Sequence, residues 1–156
     1  MTDIGFIGLG NMGGALARRL LKDYTLYVWD LNRSAVEVLV DEGAIAADGP
    51  DGVGASGADF IITCLPTSAQ VDEVIFSSNG LVSTISSGAL IADMTTGDPM
   101  LTKNMAARLV KNGIDLIDAP VSGGVAGAEA GTIAIMIGGP AQLFEKAKSV
   151  FEAVSP

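Results

Sequence analysis

Gly8, Gly10 and Gly13 stand in a G-x-G-x-x-G whose intervening residues are Leu9, Asn11 and Met12. The segment follows a short β-type run at residues 3–7 and opens a helical pattern reaching about Leu21. That placement gives each glycine a physical task. At Gly8 the chain can turn sharply, at Gly10 an anion can approach the backbone, and at Gly13 helix and strand can pack closely. The free amides and positive dipole end of the helix then suit phosphate charge. Asp30 closes a second apolar run at residues 25–29, where its carboxylate can accept ribose hydroxyls. Together these residues predict a dinucleotide site. Asp30 would repel a 2′-phosphate and favours NAD, while Asn32 and Arg33 follow it and Arg33 offers a grip for NADP as the alternative.

Three more polar segments follow apolar runs. Leu65-Pro66-Thr67-Ser68-Ala69-Gln70 comes at the end of the run at residues 60–65, and Asp93-Met94-Thr95-Thr96 at the end of 90–93. Asp118-Ala119-Pro120-Val121-Ser122-Gly123-Gly124 does the same for 114–118. Ser122, Gly123 and Gly124 present a hydroxyl and unencumbered amides, a good receptor for a carboxylate. Such a loop is equally well read as a flexible connection.

Positioning these residues requires a strand–helix alternation, and the hydrophobic pattern supplies one. Helical periodicity is expected at 32–42, with Val36, Leu39 and Val40 inward, at 68–76, and at 99–112 with Leu101, Met105 and Leu109 inward. The clearest 3.6-residue pattern runs from Pro140 to about Ala153. A brief strand is expected at 44–47, a short or frayed helix within 49–57, and a last strand at 132–137. Near-continuous apolar strands between helices predict an α/β fold, a doubly wound, mostly parallel Rossmann-like sheet. Ligands of such sheets lie at the carboxyl ends of the strands, where all the segments above fall.

The length of 156 residues suits one domain, and 49% apolar residues suffice for a core without staples. Nine basic against 18 acidic residues give a net charge of −9, which argues against nucleic acid or an anionic membrane as partner. There is no His and one Cys, Cys64, which excludes His-based acid/base chemistry, internal disulfides and a His/Cys zinc site. The start of the chain lacks the features of a signal peptide, and the uncharged stretch 74–92 is too rich in Ser, Thr and Asn for a membrane span. A soluble, cytoplasmic domain is the expectation.

GFIGLGNMG at residues 5–13, ITCLPTSAQV at 62–71 and DAPVSGGVAGAEAGTIAIMIGG at 118–139 resemble the β-hydroxyacid dehydrogenase family. The match covers essentially the whole chain, and the third segment favours the 3-hydroxyisobutyrate and tartronate semialdehyde branch over the phosphogluconate one. The resemblance implies a Rossmann domain followed by a helical domain, and hydride transfer between a nicotinamide and a small 3-hydroxy acid. It places Leu65 and Pro66 in the cofactor cleft, Gln70 near it, Thr96 near the nicotinamide ribose, and Ser122, Gly123 and Gly124 on the substrate carboxylate. The family's proton-transferring lysine belongs to a segment expected beyond Pro156. None of Lys22, Lys103, Lys111, Lys146 and Lys148 stands in that motif, so no catalytic residue is assigned within these residues. An open sheet edge and uncovered apolar surface favour a homo-oligomer, and a non-catalytic, self-associating nucleotide module is the rival expectation. An imine-reductase-like relative fits less well, because the Ser-Gly-Gly segment suits a carboxylate.

Overall fold

The computed structural model describes residues 3–155. Six strands, β1 (Asp3–Ile7), β2 (Thr25–Trp29), β3 (Ile45–Ala46), β4 (Phe60–Thr63), β5 (Leu90–Asp93) and β6 (Asp115–Asp118), form one parallel sheet in the order β3-β2-β1-β4-β5-β6. The chain winds outward from β1 in one direction and from β4 in the other. A crevice therefore opens between the carboxyl ends of β1 and β4, the topological switch point.

Both faces are covered. Phe6, Val28, Phe60, Ile62 and Ile117 point to the side occupied by α1 (Asn11–Leu20), α2 (Arg33–Asp41) and α7 (Ala141–Val154). Their alternates Ile7, Ile61, Ile91 and Leu116 meet α3 (Pro50–Gly54), α4 (Ser68–Phe76) and α5 (Pro99–Leu109). This is why the strands read as unbroken apolar runs. Phe151 of α7 meets Phe60 edge-on, with centroids 6.2 Å apart, and the Arg19 Nε–H donates to the Ala153 carbonyl at 2.9 Å, fastening the last helix to the first.

The helix starts follow local chemistry. Asn32, Thr67 and Asp98 cap α2, α4 and α5, each side chain accepting an N–H of the first turn, and Pro99 occupies the first position of α5. Leu101 and Val40, expected inward, are exposed: the inward stripe of α5 is Met105 and Leu109, and that of α2 is Val36 and Leu39.

The expected strand at 132–137 requires correction. Only Ala134–Ile135 (β8) is a strand, and it pairs antiparallel with Val121–Ser122 (β7) outside the main sheet. Ile133 is buried while Ala134 and Met136 are exposed, an alternation suited to an edge ribbon and not to a doubly covered parallel strand. Between β7 and β8 lies a helix that periodicity did not suggest, α6 (Gly124–Ala130), in which all residues but Val125 and Glu129 are Gly or Ala. No helix among the described residues is long and apolar enough to cross a membrane.

Candidate cofactor site

A cavity of about 560 Å³ occupies the crevice at the switch point. Gly8, Gly10, Asn11, Met12 and Gly13 form one side, Cys64, Leu65, Pro66 and Gln70 the opposite side, and Trp29, Asp30 and Leu31 one end. Its size is that of an ordinary small-molecule site.

The three glycines of the turn differ in what they serve. Gly8 has φ +98°, and a Cβ there would strike the Cys64 carbonyl of the neighbouring strand end. A Cβ on Gly13 would strike the Gly8 carbonyl oxygen. Both glycines are thus required by internal packing. Gly10 is not. Its φ of −63° and ψ of −170° suit any residue, and a Cβ there would meet nothing within 4 Å. The missing side chain leaves room only for something from outside. Gly10 caps α1 without a side-chain hydrogen bond, so the first-turn amides carry the helix's positive end into the same space.

Asp30 stands half-buried beside this turn. Its Oδ2 accepts the Leu9 N–H at 2.6 Å and its Oδ1 the Asn32 N–H at 2.7 Å. The carboxylate therefore ties the turn to the end of β2, a structural task that spacing alone did not suggest. Each oxygen keeps a lone pair for a hydroxyl. A glycine cradle over uncapped amides with a carboxylate at the adjacent strand end offers donors for an anionic group and an acceptor for hydroxyls, the chemistry a dinucleotide would need.

The remaining expected residues lie around this centre. Leu9 and Asn32 border a second hollow on the far side of the turn, between α1, α2 and α6. Arg33, the first residue of α2, is exposed, and Thr96 is exposed beyond the end of β5; neither lines the cavity. Ser122 ends β7, followed by Gly123 at φ +138° and Gly124 at φ +68°, backbone that a side chain would strain. The loop is thus a built conformation, and it too lies outside the cavity wall.

Several lining residues were not expected: Trp29, Leu31, Pro50, Cys64, Glu73, Val74, Ser77 and Asn79. Gln70, Glu73, Val74 and Ser77 have the i, i+3, i+4, i+7 spacing of one helix face, a signal that was available in the sequence. Cys64 is no nucleophile here. Burial first, and the nearby Asp93 second, push its thiol up to about 11, so it stays protonated at neutral pH. No lysine lines the cavity; Lys146 pairs with Asp115 at 3.3 Å, and Lys148 lies 3.9 Å from Glu152 on the exposed face of α7.

The model of the NAD binding domain of 6-phosphogluconate dehydrogenase matches residues 3–156. The chain belongs to that family. Among curated proteins it is 44% identical over 156 residues to an NAD-dependent L-serine dehydrogenase of Pseudomonas aeruginosa, covering 99% of this chain and 52% of that protein. It is 41% identical over 153 residues to a 3-hydroxyisobutyrate dehydrogenase of the same organism, covering 97% and 51%. A solved 3-hydroxyisobutyrate dehydrogenase of Mycobacterium tuberculosis with L-serine superposes with a TM-score of 0.93 at 30% identity, covering 99% of this chain and 52% of that one. The chain therefore spans about half the length of the relatives it matches, as an NAD-binding domain of the hydroxyacid dehydrogenase type.

Proposed function

We propose that these residues form the cofactor-holding half of an oxidoreductase that passes a hydride between NAD(H) and a small 3-hydroxy acid. The observation that carries the cofactor half is Gly10, whose absent side chain serves no contact of the protein's own. The substrate class follows from the two relatives. L-Serine and 3-hydroxyisobutyrate share a carboxylate and a hydroxyl on C3, and the Ser122-Gly123-Gly124 loop supports a carboxylate receptor by its hydroxyl and the side-chain-free amides of two glycines at positive φ.

Within this half the division of work is physical. The α1 amides and Gly10 would receive the pyrophosphate, Asp30 the adenosine ribose, and Trp29, Pro50 and Val74, which line the same cavity, the adenine. Leu65 and Pro66 wall off water from the cleft, with Gln70 beside them and Thr96 toward the nicotinamide ribose. Bound NAD supplies the hydride acceptor, and the protein contributes position and polarisation.

Asp30 predicts discrimination. NADH should bind about tenfold or more tightly than NADPH, because the carboxylate held by the Leu9 and Asn32 amides would repel a 2′-phosphate brought to it; calorimetry with both cofactors measures it. The Asp30→Ser substitution should narrow the ratio, by weakening NADH through loss of the ribose acceptor and by relieving the repulsion of NADPH, while loss of the bonds to the Leu9 and Asn32 amides weakens both. Equal affinities in the parent chain would remove Asp30 from the specificity assignment.

No lysine of the chain stands in the cavity, so we expect turnover of L-serine or 3-hydroxyisobutyrate by these 156 residues to lie about 10²–10⁴-fold below that of an enzyme with a placed proton-transfer group. A steady-state assay following NADH absorbance decides it. Rates at the level of a complete dehydrogenase would show that the proton is handled within this chain. The exposed Val125, Met136 and Ile137 favour the rival module, in which occupancy controls self-association. Light scattering with and without NADH separates the two: mass that depends on cofactor supports the module, and constant mass removes its basis.

A further inference from the structure

Asp93 closes β5 at the carboxyl edge of the sheet, fully buried, and none of the cofactor contacts above uses it. Its Oδ1 accepts two hydrogen bonds, from the Thr63 hydroxyl at 2.9 Å and from the Thr95 N–H at 3.0 Å. Thr95, itself buried, carries the connection onward: its Oγ1 accepts the Leu65 N–H at 3.0 Å. Leu65 stands in the cavity wall. The other carboxyl oxygen, Oδ2, is buried without a partner.

A carboxyl held this way is expensive, since a buried polar atom without a hydrogen bond has given up its water and gained nothing in return. Burial pushes the Asp93 carboxyl up, the bonds from Thr95 and Thr63 pull against this, and Asp118, in register on β6, adds to the push. An apolar residue would avoid the cost, as Ile91 does one step earlier on the same face. What an apolar residue cannot do is hold Thr63 and Thr95 at once. Thr63 and Asp93 are register partners on β4 and β5, so the bond ties the two strands together just where their ladder ends. From that anchor the Thr95 hydroxyl meets the chain leaving β4.

We propose that Asp93 is a positioning residue of the cofactor cavity, which through Thr95 fixes Leu65 and with it the wall against which a bound dinucleotide rests. The inference rests on the dinucleotide reading of that cavity only for its functional consequence. Its structural core is the chain Asp93–Thr95–Leu65.

The test compares Asp93→Asn, Asp93→Ala and Thr95→Val in the 156-residue chain. Two quantities are read: amide hydrogen exchange at Leu65 without ligand, and NADH affinity by calorimetry, at a temperature where circular dichroism shows each variant folded. Asparagine keeps an acceptor oxygen in place of Oδ1, so Asp93→Asn should match the parent in both. Asp93→Ala and Thr95→Val should each speed Leu65 exchange and weaken NADH by about five- to tenfold, the loss expected for one such hydrogen bond. If Asp93→Ala does not fold, Thr95→Val carries the test, because it is nearly isosteric and leaves Asp93 in place. Unchanged Leu65 exchange and NADH affinity in folded Thr95→Val overturn the proposal. So does an Asp93→Asn variant as impaired as Asp93→Ala, which would assign the effect to the negative charge. If the parent itself fails to bind NADH, the dinucleotide reading falls, while Leu65 exchange still decides the role of Asp93.

Discussion

Gly10→Val should weaken NADH binding by about a hundredfold, the equivalent of one strong charge-assisted hydrogen bond, while leaving the fold intact. The expectation follows from the open space around Gly10. A Cβ at this position would meet no protein atom within 4 Å beyond its chain neighbours, and φ −63° with ψ −170° is ordinary extended backbone. The stability cost is limited to a poorer helix start, about 1 kcal/mol, or about 2–4 °C in Tm. The isopropyl group would, however, stand over the first-turn amides of α1 and fill the space a pyrophosphate must enter. Calorimetric NADH titration together with a thermal melt separates the two effects. Full affinity in Gly10→Val would mean that no phosphate approaches the backbone here.

Gly13→Ala should do the opposite. Its Cβ would land on the Gly8 carbonyl oxygen, a backbone atom fixed by the turn and unable to yield as a flexible side chain would. Relief requires α1 to move away from β1, disturbing Ala17 and Leu20 in the core. We expect a loss of about 2–4 kcal/mol, or about 10 °C in Tm, read by far-ultraviolet circular dichroism. Residual NADH affinity in the folded fraction should fall much less than in Gly10→Val. Parental stability of Gly13→Ala would show that the turn is looser than its geometry indicates. The pair thus separates a glycine kept for packing from one kept for a ligand, though both belong to one motif.

Much of this was legible beforehand, for identifiable reasons. The β1 turn, Asp30 and the central strands announce themselves because a doubly covered parallel sheet demands continuous apolar runs, and its ligands must gather at the strand ends. Segment 132–137 misled because its apolar content is that of a strand, while its burial alternates and its Ala134–Ile135 pairs with Val121–Ser122 outside the main sheet. The helix Gly124–Ala130 escaped notice since glycine and alanine carry no hydrophobic period to count. Within the cavity, Trp29 and the α4 face were missed for a different reason. Lining a pocket depends on where helix and strand meet, and the Gln70–Glu73–Val74–Ser77 stripe gains meaning only once α4 is known to border the crevice. The second role of Asp30, accepting the Leu9 and Asn32 amides, depends on distances across the crevice that spacing does not contain.

The most direct measurement uses Trp29, the single tryptophan of the chain, which lines the cavity. NADH absorbs where tryptophan emits, so a dinucleotide held in this crevice should quench Trp29 fluorescence. Titration of the 156-residue chain should give a saturable quench at an affinity matching calorimetry, lost in Gly10→Val and weaker with NADPH. A fluorescence change that never saturates up to millimolar NADH, with no heat of binding, would contradict the assignment of this crevice as the NAD site.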